Sequence, residues 1–177
     1  MEKTLNKRDL FWIFIRSNFL LGSFNFERMQ AMGFCVALMP ALKKLYQGDE
    51  LKAALKRHLE FFNTQPFVAA AIMGIIAAME EKRANGADIS PQTLSGVKVG
   101  LIGPLAGVGD PIFWGTARPV LGALGASLAV AGNWMGPLIY FFGINIIRIL
   151  VRWYGLRLGY ERGTAMVTEV GGGQLKR

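Results

Sequence analysis

Between Gly100 and Pro119 the chain reads GLIGPLAGVGDPIFWGTARP, an apolar stretch holding five glycines, three prolines and a single acid, Asp110. Glycine gives up too much backbone freedom in a helix, and proline removes a donor, so this composition argues against a regular helix interior. The flank is oily: from Pro119 to Ile147 no charged residue occurs. Interrupted backbone within apolar sequence is tolerated in a membrane only where it is packed in protein or lines a polar cavity. An ionisable group in such a place is costly and is a functional candidate by default. The segment therefore predicts a solute site within a bilayer.

Composition supports that reading. The 177 residues are 52% hydrophobic and only 18% charged, whereas soluble domains carry about 25% charged residues. The apolar excess is spread over interrupted stretches rather than one clean span. The expected fold is an all-α membrane protein, with amphipathic interfacial helices and short broken or re-entrant membrane-embedded helical segments, held in a complex. The net charge of +8 does not indicate nucleic acid, because the cations sit at the ends of apolar segments instead of on one face of a polar domain. Lys7, Arg8, Lys43, Lys44, Lys82, Arg83, Arg148, Arg152, Arg157 and Arg162 suit the positive-inside rule and anionic lipid heads. The one cysteine, Cys35, excludes an intramolecular disulfide and reads as a buried filler. The N-terminus lacks a signal peptide's cleavage site, and Arg16 interrupts its apolar core.

Three regions follow. Residues 1–79 form an N-terminal half with interfacial helices. A helix over 4–20 carries Asn6 and Asp9 as a cap pair, and Met29–Leu42 is a short apolar segment interrupted by Gln30 and Pro40. A basic amphipathic helix runs from an Asp49 cap to about Phe62, with Leu51, Leu55, Leu59 and Phe62 on one stripe. An apolar helix begins after Gln65, behind a polar FNTQP corner with Pro66 in its first turn. Residues 80–92 (EEKRANGADISPQ) read as a polar linker with turn residues Asn85-Gly86 and Pro91. Residues 93–177 hold the glycine-rich broken segment and a membrane helix. Gly122, Gly125, Ala126 and Ala129 suit close helix contact, and a helix from Pro137 ends in a basic, Trp/Tyr-containing cytoplasmic belt. The closing GGGQLKR reads as a connection. Each half contains a short broken apolar segment with polar groups, an arrangement transporters place around a central site.

The residues offer little catalytic chemistry. His58 is the sole histidine and has no orienting partner in the sequence. Metal ligands are wanting. Gly107-Val108-Gly109 is followed by Ile112 where a dinucleotide loop needs its third glycine. No cofactor is implied. Solute-binding candidates are the amides Asn63 and Gln65, which offer donors and acceptors for hydroxyls, together with Asp110. Glu27 is a second carboxylate. Phe113 and Trp114 can give an apolar platform or be core. Asn63 and Gln65 equally suit a helix N-terminal cap, and Glu27-Arg28 equally suits a solvated turn.

Three motifs, SFNFERMQ (23–30), RHLEFFNTQPFVAA (57–70) and VGLIGPLAGVGDPIFWGTARP (99–119), together resemble the IID component of the mannose/fructose/sorbose family of bacterial sugar phosphotransferase permeases. The likeness extends from NKRDLFWIFIRSNF to the triple glycine. It implies a subunit of the bacterial cytoplasmic membrane that pairs with a IIC membrane subunit to translocate a hexose. Phosphorylation then falls to histidines of separate cytoplasmic IIA and IIB subunits, and IID carries none. The resemblance also implies that such complexes serve as docking targets for bacteriocins and as aids to phage DNA entry. Family members continue beyond the glycine triplet, so a chain stopping at Arg177 is expected to be a truncated form or fragment. The alternative is a scaffold for IIC and for IIB docking that does not touch sugar, and a third reading is a peripheral membrane protein.

Overall fold

The computed structural model describes residues 4–174. They are helical, as expected: α1 Lys7–Ser17, α2 Ala31–Leu45, α3 Gly48–Arg57, α4 Ala69–Ala84, α5 Pro91–Ile112, a π-helical turn Phe113–Ala117, α6 Arg118–Val130 and α7 Met135–Gln174. Extended pairing among the described residues is confined to the isolated bridges Asn25–Met29 and Met29–Phe62.

The Asn6/Asp9 pair forms the expected capping box. The Asn6 side chain accepts from the Arg8 and Asp9 amides, and the Asp9 carboxylate accepts from the Asn6 amide at 2.7 Å. Capping holds Asn6 extended, so α1 starts at Lys7 rather than at residue 4. Pro40 lies inside α2 without ending it. The expected Asp49 cap is not formed. No side chain caps α3, Asp49 instead pairs with Lys52 at 2.8 Å, and the helix closes at His58 well before Phe62. Pro66 precedes α4 by one turn, because Gln65 folds back on the amides of Phe67 and Val68.

Two boundaries need correction. The polar stretch 80–92 is mostly helix: α4 runs through Glu80 to Ala84 and α5 opens at Pro91 behind a Ser90 cap. Only 85–90 connects them, with Gly86 at a positive φ of 94° in the Asn-Gly turn. The segment 100–119 is not broken either. Helical structure is continuous from Pro91 to Val130, and the irregularity collects in the π-turn after Pro111. A wide turn frees carbonyls from their usual partners, and the Thr116 hydroxyl donates to the Pro111 carbonyl at 3.1 Å.

Helices α4 and α7 form the central pair. Ala71 faces Gly155 and Gly159, Gly74 faces Leu156 and Tyr160, and Ile75 and Ala78 face Gly163. Both numbers rise together, so the two helices run parallel. A side chain at Gly74 or Gly159 would collide with the backbone of the other helix, which is small-residue packing. Helix α1 runs opposite to α7, with Trp153 edge-on to Phe14 at 5.3 Å and Arg152 bonded to Ser17. Helix α2 runs opposite to α1, with Lys44 bonded to Asp9 at 2.6 Å. The core fills between them with Ile13, Phe34, Leu38, Leu42, Ile72, Met73 and Ile76, all buried. The predicted small-residue contact of α6 is present, since Gly125 and Gly136 abut each other's backbone.

This topology brings the first turn of α1 (Lys7, Arg8), the last turn of α2 (Lys43, Lys44) and the last turn of α4 (Lys82, Arg83) to one end of the bundle. Among the described residues, one helix is long and apolar enough to cross a membrane, Met135–Gly163, and little of it is buried. Its C-terminal side lies at the cation-rich end, where Tyr160 bonds Glu81. The final residues Leu175–Arg177 of the expected connection lie outside the described residues.

Candidate functional site

The three motifs meet at one corner. The Gln30 amide donates from Nε2 to the Thr64 carbonyl at 2.8 Å and accepts the Thr64 amide at 3.2 Å. The Gln30 backbone donates to Phe62 at 2.8 Å. These bonds dock 23–30 onto 57–70. The third motif joins through the Thr64 hydroxyl, which donates to the Ile102 carbonyl at 2.9 Å. Gly109 then packs on the Gln65 side chain, where an added Cβ would sit 2.9 Å from the Gln65 Cβ. Phe67 lies 5.1 Å from Phe113 and 5.6 Å from Trp114. The Trp114 ring in turn faces the Arg118 guanidinium at 5.0 Å, and Arg118 donates to the Tyr140 hydroxyl.

The candidates divide within this corner. Gln65 is buried, its Oε1 caps α4, and its Nε2 is a buried donor with no partner. The capping reading of that residue is therefore observed at Oε1, and Nε2 is left without a partner. Asp110 follows Gly109 and is exposed, as is Asn63. Trp114 is partly open while Phe113 is core. Glu27 stands apart in an exposed turn, paired with Arg28 at 3.2 Å. The Arg28 guanidinium also reaches the Leu59 carbonyl at 3.5 Å.

Sequence reasoning missed a buried ionic cluster behind the corner. Glu80, assigned to the linker, is 1% exposed. It takes Arg57 at 2.6 Å, His58 Nε2 at 2.8 Å and the Tyr46 hydroxyl at 2.6 Å. Burial alone would raise its carboxyl, but the hydrogen bonds from His58 and Arg57 outweigh that and hold it at about 2. Burial pushes His58 below its ordinary value, against the pull of Glu80. The consistent state is a neutral imidazole donating from Nε2 to an ionised Glu80. Lys98, fully buried, sits 3.3 Å from Glu60 and 4.5 Å over the Phe34 ring, tying α5 to the N-terminal helices. A signal for Glu80 existed: it continues the buried row Ile72, Ile76 at intervals of four. Cys35 is buried as expected. No group of three metal-ligating side chains occurs among the described residues.

Residues 4–177 match the family described as PTS system mannose/fructose/sorbose family IID component. The chain is 56% identical over 177 residues to the fructose permease IID component of Bacillus subtilis (strain 168), covering 99% of this chain and 64% of that one. It is 54% identical to the PTS system mannose-specific EIID component of Escherichia coli (strain K12), over 99% of this chain and 63% of the relative. With the sorbose-specific EIID component of Klebsiella pneumoniae the identity is 52%, covering 99% and 65%. The chain thus spans about 64% of the length of the curated relatives it matches. Among solved structures it is similar to a chain in the cryo-EM structure of the mannose transporter ManYZ in complex with microcin E492. That match has a TM-score of 0.94 at 55% identity, covering 97% of this chain and 64% of the other. A chain described as a membrane protein matches with a TM-score of 0.84 at 48% identity, covering 98% and 70%. Motifs, helical architecture and relatives agree, and the chain belongs to the mannose/fructose/sorbose family of PTS IID components.

Proposed function

We propose that this chain acts with a IIC membrane subunit in the bacterial cytoplasmic membrane as the hexose-translocating unit of a phosphoenolpyruvate-dependent sugar phosphotransferase permease. The observation that carries this reading is the near-complete match of its fold to a chain of a mannose transporter. Sugar would be phosphorylated by the IIB subunit, supplied in turn by IIA, and this chain would contribute no phosphohistidine. The inward, ion-bonded position of His58, 1% exposed, supports that, because a phosphoryl donor needs an accessible ring nitrogen. The helix Met135–Gly163 supports embedding in the bilayer. The cation-rich end supports a cytoplasmic position for the N-terminus and for the end of α7.

In this reading the motif corner contacts the sugar. A hexose asks for donors and acceptors toward its hydroxyls and an apolar surface toward its C–H face. The free Nε2 of Gln65, the carboxylate of Asp110 and the amide of Asn63 offer the first, and Trp114 the second. Glu27, ion-paired at the adjoining turn, would serve at the mouth. Losing one such bond leaves a partner unpaired, at a cost of about 1–3 kcal/mol. In the full-length IIC–IID complex, Asp110→Asn or Asn63→Ala is expected to abolish uptake of radiolabelled mannose with membrane abundance retained. Normal uptake by both variants removes the corner from the sugar path.

The gathering of cations at one end favours a second reading, in which the chain scaffolds IIC and docks IIB without touching sugar. Photocrosslinking of a sugar analogue to IIC alone would decide for it.

A further inference from the structure

The turn that opens the motif corner is held in an unfavourable backbone shape. Met29 has a φ of 53°, the one left-handed non-glycine residue among those described. That conformation crowds Cβ against the following carbonyl oxygen, and methionine has no short polar side chain to bond locally in compensation. Such an outlier persists only where its surroundings over-determine it. The Met29 amide donates to the Asn25 carbonyl at 2.9 Å, and the Met29 carbonyl accepts the Asn25 amide at 3.3 Å. The Asn25 side chain accepts the Arg28 amide at 2.8 Å. On either side of Met29, the Arg28 carbonyl accepts the Phe62 amide at 3.4 Å, and the Gln30 amide donates to the Phe62 carbonyl at 2.8 Å.

The strained turn delivers Gln30 to the corner. Gln30 is 3% exposed, and both ends of its side-chain amide meet one residue. Nε2 donates to the Thr64 carbonyl and Oε1 accepts the Thr64 amide. The N–H of Thr64 belongs to the peptide plane shared with Asn63, and its carbonyl belongs to the plane shared with Gln65. Each plane is rigid, so the clamp fixes the two units that carry both candidate sugar-binding amides. The Thr64 hydroxyl passes the constraint to the Ile102 carbonyl of α5, the helix that bears Asp110. Buried and bonded at both ends, Gln30 works through its neighbours and not on a solute.

The clamp needs a neutral side chain that donates and accepts at once. Methionine keeps the length of glutamine and offers no N–H or C=O. An ionised carboxylate accepts but cannot donate, whereas a protonated carboxyl does both. We propose that Gln30, aimed by the left-handed Met29, is a positioning residue for sugar binding, holding Asn63 and Gln65 in register with α5. This assignment rests on the reading above that the motif corner contacts the sugar.

The test measures equilibrium binding of radiolabelled mannose to the purified full-length IIC–IID complex. Gln30→Met is expected to weaken binding by about tenfold or more, the scale of a buried hydrogen bond lost with its partner stranded. Gln30→Glu is expected to bind weakly at about pH 8.5, where the introduced carboxyl is ionised, and to recover at about pH 5.5, where burial favours its neutral form. The unsubstituted complex should show no such recovery, and a merely structural role for Gln30 would not produce it. Met29→Gly and Met29→Val remove the same side chain and move the backbone in opposite directions. Glycine adopts positive φ freely, and a β-branched residue does so worst. Met29→Gly is therefore expected to retain affinity and Met29→Val to lose it, a comparison that stands even where Gln30→Met fails to assemble. Unaltered affinity in Gln30→Met, a flat pH profile in Gln30→Glu, or equal losses in the two Met29 variants overturns the proposal. Failure of the sugar reading looks different: Asn63→Ala and Asp110→Asn then leave mannose binding intact, and the positioning role falls with it.

Discussion

Glu80 shows how one buried charge organises its surroundings. It is the common acceptor for Arg57 at the end of α3, His58 just after it and Tyr46 between α2 and α3. Removing one partner of a buried pair strands the others and costs roughly 3–5 kcal/mol, so Glu80→Ala is expected to lower the unfolding temperature of the detergent-solubilised protein sharply. The pH dependence has a definite sign. A carboxyl held at about 2, below its ordinary 4.5, adds stability above pH 4.5 that disappears as pH falls toward 2. His58, pushed below its ordinary 6.5 by burial, adds stability that declines as pH drops through that value. Both terms make acid destabilising, and Glu80→Gln is expected to flatten the limb below pH 4.5 in a thermal-shift titration. An unchanged acid limb in that variant would show that Glu80 is not ionised in the native protein.

At the scale of elements, the α4–α7 pair depends on absent side chains. Gly74 and Gly159 place backbone against backbone, whereas Gly103 and Gly107 on α5 meet nothing within 4 Å. Gly159→Leu is therefore expected to abolish a folded, monodisperse protein in detergent. Gly103→Ala should raise its melting temperature slightly, because alanine favours helix over glycine by about 1 kcal/mol. The same contrast explains what the sequence could convey. The Asn6/Asp9 capping box, the Asn-Gly turn and the small residues of α6 act locally, and they were legible, whereas the Asp49 cap was not formed. Continuity of α5 was not, because proline and glycine signal interruption wherever neighbouring helices do not compensate. Here the wide turn at Phe113–Ala117 and the Thr116 hydroxyl absorb the disturbance. Of the motif corner, the helix-capping use of Gln65 was legible, since an amide just before an apolar helix suits its N-terminus. Glu80 was hidden because its pattern depends on a helix extending past the last apolar residue.

For the whole molecule, the parallel course of α4 and α7, with α1 opposed to both, sorts charge along the long axis. One end carries Lys7, Arg8, Lys43, Lys44, Lys82 and Arg83, while the opposite turn, 131–134, carries none. With Cys35 replaced by serine, a cysteine substituted at Trp134 is expected to react with an impermeant maleimide in intact cells. One substituted at Lys82 should react only after permeabilisation, and the reverse pattern would invert the proposed topology. This lopsided charge also couples the protein to the voltage its host maintains. Each uncompensated elementary charge is worth about 2.3 kcal/mol per 100 mV across a bilayer, and a negative cell interior draws the positive pole inward. In the proposed topology an energised cell would thus favour the upright molecule, and one whose ion gradients have collapsed would lose that guidance during insertion.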